Sequence, residues 1–181
     1  TERTTAATDA LLSLAAAGGI VLLQPSGTPP SWKIQLWSWA FAFIALSAAL
    51  GAVHHGIALS ARRRTLLWRI LTACLSAAIS LVAVGVVHDL CGVEAAGRVL
   101  PVLLTAGLLT YAVSRAFAGL FIVFVVYQAL ALTMALAVYA WLTAQGVLPG
   151  APSLAAGAAL SLAAAATQAA RSPRGTRTWE S

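Results

Sequence analysis

Charge is what this chain has least of. Of its 181 residues only 9% are Asp, Glu, Lys or Arg, while 60% are hydrophobic, and the mean hydropathy is +0.88. A soluble domain carries about 25% charged residues. A fold of this size in water would lack the polar surface to cover itself, so the composition excludes an ordinary soluble domain and predicts a membrane protein. Acidic residues are scarcer still, five against eleven basic ones, for a net charge of +6. That excess could suggest nucleic acid, but the basic residues stand at the ends of apolar stretches, where orientation in a bilayer accounts for them. No nucleic-acid partner is expected.

Cysteine is nearly absent, with two in the chain. Cys74 lies inside an apolar stretch and Cys91 beyond its end. The seventeen steps between them span about 25 Å of helix, too far for a disulfide, so both are read as free thiols. A cleavable signal peptide is not expected either, because the first apolar stretch contains Asp9 and lacks an A-x-A-like site.

Long apolar runs are what remain. Six segments of bilayer-spanning length are predicted, at 6–23, 33–61, 65–88, 98–114, 117–145 and 154–170, separated by turn residues or charge. The runs are continuous, without the period-two alternation of a membrane barrel, so they are read as helices. The expected fold is all-α, a polytopic six-transmembrane-helix bundle over residues 1–170 with a polar cytoplasmic tail at 171–181.

Six spans would place Arg3, Arg62, Arg63, Arg64, Arg69, Arg115, Arg171, Arg174 and Arg177 on one side, and only Lys33 and Arg98 on the other. The positive-inside rule then puts both termini in the cytoplasm of a bacterial inner membrane. Trp32, Trp37 and Trp141 would mark the outer interface and Trp68 the inner one. Small residues in the second segment (Ser47, Ala48, Ala49, Gly51, Ala52, Gly56) and the alanines of the sixth predict tight helix packing. The fifth, with Phe117, Phe121 and Phe124, has a more lipid-facing character.

An ionisable residue at membrane depth is costly and is read first as functional. Asp9 falls six residues beyond Arg3 and His54 eight before Arg62, about 9 and 12 Å from the same face. Tyr111 and Gln168 fall in the same half, with Gln128 deeper. A cytoplasmic-leaflet pocket around Asp9, His54 and His55 is therefore expected.

Three readings of it stay open. Asp–His hydrogen bonding would act as interhelical glue. Zinc would need three protein ligands and an open position, but adjacent histidines point about 100° apart, and His88 lies at the far end of its segment. A haem or chlorophyll-type pigment could take one axial histidine, with Gly51 and Ala52 making room. The outer group His88, Asp89, Cys91 and Glu94 is read as polar residues meeting water rather than as a metal site. Arg62–Arg64 reads as a topology signal that could also attract anionic headgroups.

"TDALLSLA" in the first segment, "WSWAFAFIALSAALGAVHHG" in the second and "TLLWR" in the third resemble a family of uncharacterised bacterial multi-spanning proteins. That family is loosely similar to the alkaline-ceramidase-like and adiponectin-receptor-like (CREST) hydrolase superfamily. The resemblance implies a metal site near the cytoplasmic face, with His54 or His55 as the second-helix ligand and Asp9 as an acidic partner. It covers about the first seventy residues. The final-helix histidines it implies have no counterpart, since no histidine follows His88.

The expectation is thus an integral membrane protein related to metal-dependent hydrolases but with an incomplete catalytic site. The metal candidates are Asp9, His54 and His55, and whether it is an enzyme is left open. A haem- or pigment-binding subunit and a structural, assembly or transport protein are the alternatives. Its partners would be the lipid bilayer and other membrane subunits.

Overall fold

The computed structural model describes residues 2–24, 29–117 and 121–171, apart from the side chains of 121 and 168–171. The polar tail at 172–181, with Arg174 and Arg177, lies outside the described residues, as does the Gln168 side chain. The described chain is all-helical: α1 (Arg3–Leu23), α2 (Trp32–Gly56), α3 (Ala61–Ala116), α4 (Phe121–Gln145) and α5 (Ala151–Arg171).

Local chemistry explains several ends. Ser31 follows two prolines and caps α2, its Oγ accepting from the Ile34 amide at 3.3 Å. Gly146, in the left-handed region at φ 66°, stops α4, its N–H donating to the Thr143 carbonyl. α2 stops at Gly56, short of the predicted 61, and α3 starts at Ala61, so Arg62–Arg64 form the first turn of a helix rather than a linker.

The larger departure lies in α3, where the sequence predicts two segments and a connection over 89–97. All of that stretch is helical except Gly92, at φ 86°, ψ 176°. A straight helix of 56 residues would be about 84 Å long, nearly three times the hydrocarbon core. Instead Gly92 folds α3 into two arms, 61–91 and 93–116. The Ser76 hydroxyl donates to the Gly107 carbonyl at 2.6 Å, whereas residues 31 apart along one helix would be separated by about 46 Å.

That backbone angle favours glycine, and the position is open, with nothing near a Cβ. Gly92→Ala is therefore expected to cost about 1–3 kcal/mol from backbone strain alone. Gly97→Ala, equally open but helical, should be neutral or slightly stabilising. Denaturant titration of the two purified variants in detergent checks the contrast, and equal stabilities would refute it.

Among the described residues four helices can cross a membrane by length and composition: Arg3–Leu23, Trp32–Gly56, Ala61–Ala116 and Ile122–Gln145. That is two fewer than the sequence predicts. Both arms of α3 fall within one helix, and the apolar stretch of α5, Ala151–Thr167, is shorter than the rest.

The chain divides into two units, residues 1–131 and 132–181. In the first, α1 and α2 run antiparallel: Ser13 Oγ donates to the Ala45 carbonyl at 2.9 Å, and the Glu2 amide donates to the His55 carbonyl at 3.0 Å. Leu36 and Ala40 of α2 pack on Leu81, Val84 and Ala96 of α3. Phe124 and Ala131 of α4 pack on Ile79 and Ala83.

Trp37, expected at the outer interface, packs against α3. Its ring fills the notch at Gly85, where a Cβ would stand 2.7 Å from the indole. The outward side of α1 is bare leucine and valine, with Leu22 87% exposed. Such a face suits hydrocarbon rather than water. In the second unit, Tyr139, Leu142, Ala151 and Ala158 are buried. Cys74 and Cys91 are free thiols.

Candidate functional site

The antiparallel pairing of α1 and α2 brings the start of one helix to the end of the other. Asp9 meets α2 at Gly51, where a Cβ would stand 2.7 Å from Asp9 Oδ2. One turn nearer the end, Gly56 lies so close to Ala6 that an added Cβ would be 3.2 Å from the alanine methyl. The small residues of α2 are what let α1 approach this closely.

His55 turns back to the amino-terminal segment, its Nδ1 3.1 Å from Glu2 Oε2, and it is within electrostatic reach of Asp9. His54 points elsewhere, its ring 5.5 Å from that of Trp68 in the first arm of α3. Its Nδ1 is buried and has no hydrogen-bond partner.

Asp9, His54 and His55 thus share one pole, but their polar atoms diverge. Among the described residues no group of three His, Cys, Asp or Glu side chains stands where it could hold a metal ion. His55 Nδ1 is engaged by Glu2, and the Asp9 carboxylate lies against Gly51 of α2. The room that Gly51 was expected to leave for a macrocycle is filled by the Asp9 side chain.

Tyr111 lines a groove between the arms of α3. Gln128 belongs to the same stretch of α4 as Tyr127, which reaches Ser80. Ser80 is twelve residues, about 18 Å of helix, beyond the Trp68 that meets His54.

At the opposite pole lies the outer group expected to meet water, but Asp89 there is enclosed and joined by Lys33. Lys33 Nζ lies 2.6 Å from Asp89 Oδ1, and the Asp89 side chain is only 2% exposed. His88 Nδ1 is 3.1 Å from the same oxygen, and its ring stacks on Trp32 at 5.4 Å. Arg98 pairs with Glu94 one turn away. The signal was available: the start of the second segment and the end of the third had to lie at the same level.

The poles therefore differ in charge. Lys33 and Arg98 are each matched to a carboxylate. Arg62, Arg63, Arg64, Arg69 and Arg115 form no ion pair among the described residues.

Between the poles, buried hydroxyls are satisfied across and along helices. Ser80 donates to the Ser76 carbonyl at 2.9 Å and lies 2.8 Å from the Tyr127 hydroxyl, which also reaches the Leu103 carbonyl at 3.3 Å. Thr72 donates to the Trp68 carbonyl at 2.7 Å.

Apolar helices of membrane length, with polar groups satisfied along and between them, define a helical membrane-embedded protein. The chain belongs to a family of unknown function, DUF6962, whose model matches residues 4–176. No curated protein and no solved structure matches it.

Proposed function

We propose that the protein is a six-span integral protein of a bacterial inner membrane, with both ends in the cytoplasm, and that it serves as a non-catalytic helical scaffold or assembly subunit. One observation carries the reading: several polar side chains at membrane depth reach across to a neighbouring helix or arm. Asp9 packs against Gly51, Ser13 bonds α2, Ser76 bonds the second arm of α3 and Tyr127 bonds Ser80. The hydrolase chemistry implied by the ceramidase-like resemblance has no ligand set among the described residues.

The six-span count rests on treating the arms of α3 as two crossings and α5 as a sixth. The orientation follows from the count of Lys and Arg, with Arg3, Arg62, Arg63, Arg64, Arg69 and Arg115 on one side and only Lys33 and Arg98 on the other.

Reporter fusions after Pro30, Arg64, Glu94, Phe117 and Gly150 and at the chain end should alternate, periplasmic first and cytoplasmic last. A cytoplasmic reporter after Glu94, or ends in different compartments, would overturn the topology. Metal analysis tests the non-catalytic half. Purified protein should carry less than roughly a tenth of an equivalent of zinc, since a catalytic site needs three protein ligands. Asp9→Asn should only lower the melting temperature, by about 2–4 °C. Stoichiometric zinc lost on that substitution would restore the hydrolase reading.

A further inference from the structure

The arms of α3 do not close completely on one another. Ala73, Ser76 and Ala77 of the first and Leu104, Leu108 and Tyr111 of the second line a groove of about 210 Å³. Its walls are mostly alanine and leucine. Ser76 is occupied with the Gly107 carbonyl, and the Tyr111 hydroxyl bonds no described residue. Helical periodicity extends the groove in one direction. Residues four apart share a face, so Arg69 lies one turn from Ala73, and Arg115 one turn from Tyr111, towards the arginine pole. The Ser76–Gly107 bond sets the antiparallel register and brings the levels of 69 and 115 together. Both arginines are exposed, and neither forms an ion pair among the described residues.

We infer that this groove is a binding site for an anionic phospholipid. One acyl chain would lie between the arms, the Tyr111 hydroxyl would donate to an ester carbonyl, and Arg69 and Arg115 would hold the headgroup phosphate. The inference rests on the proposed membrane topology, which puts the arginine pole at the inner headgroups, where anionic lipid meets basic side chains between helices. An apolar trough ending in two unmatched guanidinium groups complements such a lipid in both shape and charge. A zwitterionic lipid would bring its own cation to the same place. Arginine suits the task because its planar fork can bond phosphate oxygens in pairs.

Native mass spectrometry of the full chain in detergent tests the site independently of its orientation in cells, using dioleoyl phosphatidylglycerol and dioleoyl phosphatidylcholine as probes. The glycerol lipid should be retained roughly tenfold more than the choline lipid. Arg69→Gln with Arg115→Gln should remove that preference, whereas Arg63→Gln and Arg64→Gln together should change it less than about twofold, since those two positions lie more than about 100° around the helix from Arg69. Ala77→Phe, which fills the trough, should reduce retention of both lipids. Should that variant fail to fold by circular dichroism, Ala73→Leu gives the same readout.

Equal retention of the two lipids would overturn the site, as would loss through the Arg63, Arg64 double variant matching that through Arg69 and Arg115. Displacement of the lipid by glycerol phosphate alone would assign the arginines to a free phosphate ligand. A dimer dissolved by the groove substitutions would assign the trough to a second copy. Either result would also reject the proposal. Failed topology with intact lipid selectivity would sink only the orientation.

Discussion

Gly107→Ala is expected to destabilise the protein by about 1–3 kcal/mol, the usual cost of forcing one methyl into a closed seam. Gly107 is where the two arms of α3 touch. An added Cβ would collide with Ser80 Oγ and come within 3.2 Å of both the Ser76 carbonyl oxygen and its hydroxyl. The Ser80 oxygen cannot simply swing away, because it donates to Ser76 and meets the Tyr127 hydroxyl. The Ser76 carbonyl is backbone, and moving it disturbs the helix itself.

Coupling distinguishes this cause from a general loss of glycine. Ser80→Ala removes the colliding oxygen at the cost of one hydrogen bond, about 0.5–1.5 kcal/mol. The double variant should then be more stable than the sum of the single losses by about 1 kcal/mol. Denaturant titration in detergent provides the four stabilities. A neutral Gly107→Ala, or strict additivity, would show that the seam has more slack than its geometry implies.

Lys33→Met should have an effect of similar size at the other pole. Asp89 is almost fully enclosed while Lys33 remains 37% exposed, so the members of this pair are not equivalent. Removing one partner of a buried pair costs about 3–5 kcal/mol, mostly because a charge is left without its match. Here Asp89 keeps its contact with His88 Nδ1 at 3.1 Å, which lowers the expected loss to about 2 kcal/mol, below that for a carboxylate left alone.

The asymmetry is the sharper test. Asp89→Asn leaves behind a lysine that water can accommodate, so it should cost less than Lys33→Met. The double variant Lys33→Met, Asp89→Asn should recover part of the loss. A greater loss for Asp89→Asn than for Lys33→Met would mean that the carboxylate's other contacts, with His88 at 3.1 Å among them, outweigh the lysine. Trp32→Leu offers a separate check on the His88 stack and should cost about 0.5–1.5 kcal/mol beyond lost area.

These two seams account for most of what distinguishes the molecule from a generic set of apolar helices. Gly107 brings the arms of α3 together near their middle, and the Lys33–Asp89 pair ties the start of α2 to the turn between them. The groove proposed for lipid opens beside the first seam and runs towards the pole that the second does not neutralise. Packing and charge thus assign different tasks to the two ends of α3: one end is closed by ion pairs, and the other presents arginines.

Much of this could be read from composition and order alone. Helices follow from apolar runs without alternation, because a chain in hydrocarbon must satisfy its own backbone hydrogen bonds. Arg62–Arg64, Lys33 and Arg98 already mark the ends of those runs, and the spacing of Asp9 and His54 from flanking arginines is enough to place both near one level. Such inferences need only the rise of a helix and the cost of charge in lipid.

Side-chain direction and close approach depended on the fold. Nothing in "VHHG" says that His55 turns to Glu2 while His54 turns to Trp68, since each partner comes from a different helix. The reversal at Gly92 was hidden because one residue with positive φ did the work expected of a nine-residue connection. The Lys33–Asp89 pair joins residues 56 positions apart, and the groove between the arms exists only once Ser76 has met Gly107. Periodicity along one helix specifies which residues share its face, but only packing selects what that face meets.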